Sequence, residues 1–74
     1  MTEAEIGIMR DAYRYLQAFS RQPAIDGPGC EDYWVRACDE LERVCARWGQ
    51  HPLMQQLVLG IYEYLEIKQK ELSK

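Results

Sequence analysis

From Trp34 to Trp48 the residues Trp34, Ala37, Cys38, Leu41, Val44, Cys45 and Trp48 recur at intervals of three and four, the spacing that lines apolar side chains along one narrow face of an α-helix. Asp32, Arg36, Asp39, Glu42 and Arg43 fall on the opposite side. Glu31 and Asp32 lie in the first turn and Arg47 in the last, each at the end of the helix dipole that favours its charge. The segment reads as an amphipathic helix from about Cys30 to Trp48, and its stripe has to be covered by other elements.

The flanking segments supply two more helices. Thr2 and Glu5 have the spacing of a capping box, with Met1 and Ile6 placed to form the accompanying hydrophobic staple. Behind this start, Ile6, Ile8, Met9, Ala12, Tyr13, Tyr15, Leu16 and Phe19 fill one half of a helix, and Arg10, Asp11, Arg14 and Gln17 the other. The pattern stops near Ser20, because Gln22 precedes Pro23 and is biased away from helical geometry. Residues 21–29 hold two prolines and two glycines and form the one long loop.

After the second helix, Gly49 suits a left-handed closing residue and Pro52 the first position of a new helix. His51 between them has the extended backbone of an N-cap. The third helix is expected from Pro52 to about Leu72, with Leu53, Met54, Leu57, Ile61, Tyr64, Leu65 and Leu72 facing the core. Val58 lies at the edge of that stripe, Leu59 and Tyr62 outside it, and Ile67 on the other flank. The charged end from Lys68 onward is expected to fray. Together these segments predict an all-α three-helix bundle, with helices at about 2–20, 30–48 and 52–72, in a single domain over residues 1–74.

Composition narrows the function classes. A chain of 74 residues buries only about 60% of its unfolded surface. With 47% hydrophobic and 28% charged residues, it nonetheless falls well away from disordered compositions. A formal charge of -3 argues against neutralising nucleic-acid phosphates. The short turn before the third helix superficially suits a helix-turn-helix, but that helix has no arginine or lysine before Lys68 to reach phosphates or bases. Nucleic acid is therefore a disfavoured partner. The opening MTEAEIGIM lacks the basic start and apolar run of a secretory signal, and no stretch has the eighteen or so apolar residues of a membrane span. A cytoplasmic protein is expected, with Cys30, Cys38 and Cys45 as free thiols, since an odd count without compact spacing makes a poor disulfide framework.

Four constellations invite a functional reading. Cys30, Cys38, Cys45 and His51 have the chemistry of zinc ligands, but structural sites bring ligands in close pairs, whereas Cys38 and Cys45 lie two turns apart, roughly 10 Å along a helix axis. Both sit in the Trp34–Trp48 stripe, so burial as small hydrophobes is the plainer expectation. Cys30, near a helix N-terminus where a thiolate is favoured, is the one thiol suited to pair with the single histidine. Asp32, Asp39, Glu40 and Glu42 give the second helix an acidic outer face that could mimic phosphates toward a basic groove; the plainer reading is a solvated surface with ion pairs such as Asp32–Arg36 and Asp39–Arg43. Finally, Val58, Leu59 and Tyr62 form a candidate contact face, because exposed apolar neighbours mark interaction sites and Gly60 between them allows close approach.

The segments DYW (Asp32 to Trp34), WGQHPL (Trp48 to Leu53) and YLEIKQKE (Tyr64 to Glu71) resemble small uncharacterised helical proteins encoded by phages and mobile elements of Gram-positive bacteria. The resemblance implies no catalytic or binding residue. It implies a role by contact, as in phage accessory proteins and inhibitors of host defence, anti-CRISPR proteins included. The expected function is a non-enzymatic protein–protein interaction module that buries a helix face around Leu59 and Tyr62 in a homodimer or a host protein, without a cofactor. The alternative is a metal- or thiol-dependent site using Cys30, Cys38, Cys45 and His51.

Overall fold

The computed structural model describes residues 1–72, with side chains to Glu71, and shows an all-α three-helix bundle of α1 (Glu3–Ala18), α2 (Cys30–Arg47) and α3 (Pro52–Leu72). Each boundary has a local cause. Thr2 Oγ1 accepts from the Glu5 backbone N–H at 3.1 Å and Glu5 Oε1 accepts from the Thr2 N–H at 2.7 Å, which completes the capping box. α2 ends in a Schellman motif: Gly49 is left-handed (φ 61), its N–H reaches the Ala46 carbonyl, and the Gln50 N–H reaches that of Cys45 at 2.9 Å. His51 then caps α3, its Nδ1 accepting from the Leu53 N–H at 3.1 Å.

The chain runs up, down and up. The Trp48 indole at the end of α2 lies against Gly7 near the start of α1, and Lys68 Nζ near the end of α3 donates to the Ser20 carbonyl just past the end of α1 at 2.8 Å. Thus α1 and α3 are parallel, with α2 antiparallel to both. The core is Ile8, Ala12, Tyr15 and Phe19 from α1, Tyr33, Ala37, Val44 and Cys45 from α2, and Met54, Val58 and Leu65 from α3. A run of ring contacts, Tyr15–Phe19–Tyr33–Trp34–Tyr62, crosses all three helices with centroids 5.0 to 5.6 Å apart. Both buried phenols are satisfied: Tyr15 donates to the Ala37 carbonyl at 2.9 Å and Tyr33 to that of Phe19.

Several expectations need correction. Tyr33 is buried and Cys38 is exposed, because α2 turns its buried arc toward α1, where the Tyr33 ring packs on Phe19. On α3 the arc turns toward α2, so Val58 is fully buried and Tyr64 is half exposed. On α1, Ile6, Met9 and Tyr13 are exposed while Asp11 is buried. Lys68 and Gln69 do not fray: Gln69 is buried, accepts from Trp34 Nε1 at 3.1 Å and donates to the Pro23 carbonyl at 3.2 Å. They tie the long loop to the end of α3, with Gln22 Nε2 donating to the Leu65 carbonyl beside them. The expected core role of Leu72 lies outside the described side chains. No helix of the described residues is long and apolar enough to cross a membrane.

Candidate functional site

The face expected around Val58, Leu59 and Tyr62 divides into three different environments. Val58 belongs to the core. Tyr62 packs edge-on against Trp34, with its hydroxyl 3.4 Å from Cys38 Sγ; that hydrogen bond, and then burial, push its phenol up to about 12. Leu59 alone stays exposed, on one wall of an open groove between α2 and α3 floored by Leu41 and Cys45 and rimmed by Glu42, Gln50, Gln55 and Gln56. The reason is the crossing of α2 over that flank of α3, which covers Val58 and Tyr62 and stops short of Leu59.

The chemistry-bearing residues are dispersed. Cys30 Sγ faces Gln69 Nε2 at 3.6 Å, Cys38 faces Tyr62, Cys45 is buried, and His51 is engaged as the α3 cap. Cys30 and His51 stand at opposite ends of α2, on the order of 30 Å apart at 1.5 Å per residue. Burial pushes the Cys45 thiol up, away from the thiolate a nucleophile or metal ligand requires. Among the described residues no three His, Cys, Asp or Glu side chains come together as metal ligands would.

The acidic residues of α2 do not make a uniform anionic face. Asp32, Asp39 and Glu42 are exposed, whereas Glu40 is partly buried and pairs with Arg43 at 3.2 Å. Arg43 thus reaches Glu40 instead of Asp39. Arg36, Asp39, Glu40 and Arg43 line one depression beside Phe19, which interleaves both signs of charge where phosphate mimicry needs one.

Among the described residues, most of the exposed large hydrophobics lie elsewhere. Gly7 and Asp11, against Trp48, mark the flank of α1 that faces α2; at 100° per residue Ile6, Met9, Tyr13 and Leu16 occupy the other flank. On α3, Tyr62 and Gln69, against Trp34, mark the α2 side, and Leu53, Leu57, Gly60, Tyr64 and Ile67 lie away from it. Since α1 and α3 are parallel, both outward flanks share the side of the bundle opposite α2. Five of the nine exposed large hydrophobics among the described residues gather there: Ile6, Met9, Tyr13, Tyr64 and Ile67. Tyr13 is the most open of the five, at 65%. No charged residue interrupts either stripe. Sequence reasoning put Tyr13 and Tyr64 inside, and the signal it passed over was the breadth of apolar arc on α1, wider than one neighbouring helix pair can cover.

Comparison with protein-family models, with curated proteins and with solved structures gives no match for this chain.

Proposed function

We propose that this chain is a non-enzymatic protein–protein interaction module that binds a helical partner surface through the outer α1–α3 face. The observation that supports this reading is the gathering of Ile6, Met9, Tyr13, Tyr64 and Ile67 on one side of the bundle with no element of the fold over them. The largest apolar patch on a small protein is often its functional surface. Leu59 is exposed in a separate groove on the α2 side and is not part of this face. The dispersal of Cys30, Cys38, Cys45 and His51 leaves no nucleophile–base pair among them and supports contact over catalysis. The resemblance to phage and mobile-element proteins points the partner search toward host defence proteins, in the cytoplasm, where unpaired cysteines persist.

Affinity capture from cells that naturally hold the protein tests the reading. Wild type is expected to retain a partner, or its own untagged chain, that the Tyr13→Glu, Tyr64→Glu double variant loses and Val35→Glu keeps. Equal retention by all three overturns it.

A further inference from the structure

We propose that the occupant of the outer α1–α3 face is a second copy of this chain, docked about a twofold axis so that Tyr13 of each copy seats over Gly60 of the other. The inference rests on the contact reading above and names its partner.

The spacing on the face is that of helix-on-helix packing. Ile6, Met9, Tyr13 and Leu16 step by three, four and three, and Leu53, Leu57, Gly60, Tyr64 and Ile67 by four, three, four and three. This is the alternation that keeps a seam of knobs facing a partner helix; Leu16, Leu53 and Leu57 pack in part on their own core, and Ile6, Met9, Tyr13, Tyr64 and Ile67 are the knobs left facing outward. One chain carries two such seams side by side and parallel, so a second copy presents a matching pair, as an isologous contact requires. The seams also hold a knob and a hole. Tyr13 is the most exposed large side chain on them, whereas a Cβ built on Gly60 meets nothing within 4 Å. Tyr13 is seven residues before Ser20 and Gly60 eight before Lys68, and Lys68 Nζ bonds the Ser20 carbonyl. Knob and hole therefore stand at about the same height on the two parallel helices. A twofold axis running along the helices, between the copies, lays α1 of one on α3 of the other and brings each Tyr13 over a Gly60.

The area agrees. At roughly 150–250 Å² for a whole aromatic side chain, the half-exposed side chains on the face leave on the order of 500 Å² of apolar surface. A standard interface takes about 800 Å² from each partner, somewhat over half of it apolar, and Arg10, Gln17, Gln56 and Glu63 flank the seams as a polar rim. No charge lies inside either seam between Ile6 and Leu16 or between Leu53 and Ile67, and the flanking Arg10 and Glu63 are of opposite sign, so the face does not repel its own copy.

Sedimentation equilibrium from micromolar to near-millimolar concentration is the test. Wild type is expected to reach the mass of two chains. Gly60→Arg is the decisive variant, because its side chain enters open space in the single fold and arginine favours the helix over glycine, so the bundle stays intact while the hole is filled. It is expected to weaken self-association by about a hundredfold or more, with helical circular dichroism unchanged, and Tyr13→Glu is expected to do likewise. Leu59→Glu, on the α2 side, should remain a dimer. A wild-type chain that stays single throughout, or Gly60→Arg and Tyr13→Glu proteins that still pair, overturns the inference. If wild type is single yet the same variants lose a different protein in the capture experiment, the second copy is wrong and the contact reading stands. If they lose nothing, both fall.

Discussion

The Trp48 indole N–H donates to Asp11 Oδ2 at 2.8 Å, joining the end of α2 to the middle of α1. Arg47 donates to the same oxygen at 3.2 Å, and Arg14 lies 3.8 Å from Oδ1. A carboxylate on a helix surface thus becomes the buried acceptor that fixes where α2 finishes. Hydrogen bonds to charged groups are worth about 1.5–3 kcal/mol, so Asp11→Ala is expected to cost about 2 kcal/mol in urea denaturation. Asp11→Asn, which keeps an acceptor oxygen, should cost less. A double-mutant cycle with Trp48→Phe should show coupling of about 1 kcal/mol or more; additive effects would mean that the indole bond contributes nothing.

Gly7 is the other half of that junction. A Cβ there would lie 2.6 Å from Trp48 Cη2 and 2.9 Å from Cζ2, and the indole cannot retreat without stretching its bond to Asp11. Alanine in a helix is worth about 1 kcal/mol over glycine, yet Gly7→Ala is expected to destabilise, with a red shift of tryptophan fluorescence as the ring moves outward. In the Trp48→Phe background, where the smaller ring leaves room, the same change should stabilise by up to about 1 kcal/mol. Stabilisation in both backgrounds would show that the ring is not held.

The Glu5 carboxyl is held below its ordinary 4.5 first by the hydrogen bond from the Thr2 backbone N–H and next by the Thr2 side chain. Its charged form is thus favoured in the fold. That contribution is fully present above pH 4.5 and is lost as the pH falls through the folded-state value. Glu5→Gln should therefore be less stable than wild type near neutrality, with the difference closing in acid. A gap that persists in acid would assign it to packing.

On the alkaline side, burial raises the phenols of Tyr15 and Tyr33, and the Cys38 hydrogen bond followed by burial takes Tyr62 to about 12. The folded state holds these protons more tightly than the unfolded chain does, so their contribution is present below pH 10 and declines as the pH rises toward about 12. Spectrophotometric titration is expected to show Tyr15, Tyr33 and Tyr62 ionising only together with unfolding. Tyr62→Phe should remove part of the alkaline instability. Ionisation of Tyr15, Tyr33 and Tyr62 at the ordinary phenol value, with the fold intact, would contradict the buried network.

Local chemistry settled much of this fold. Thr2 with Glu5, Gly49, and His51 with Pro52 each act within one turn of chain, so the helix ends could be read directly, and the periodicity of Trp34 to Trp48 required an amphipathic second helix. What lay beyond the sequence was the rotation of each helix about its axis. An apolar arc wider than its cover leaves a choice of which edge goes inside, and contacts between distant residues make that choice. Trp48 drew Asp11 inward on α1, the Phe19–Tyr33 contact displaced Cys38 on α2, and Trp34 with Gln69 turned α3 until Val58 was buried and Tyr64 faced out. The candidate contact face followed from those rotations. The residues that line it were visible as apolar from the start, but their common outward side depends on α1 and α3 being parallel, and only the packing of all three helices decides that.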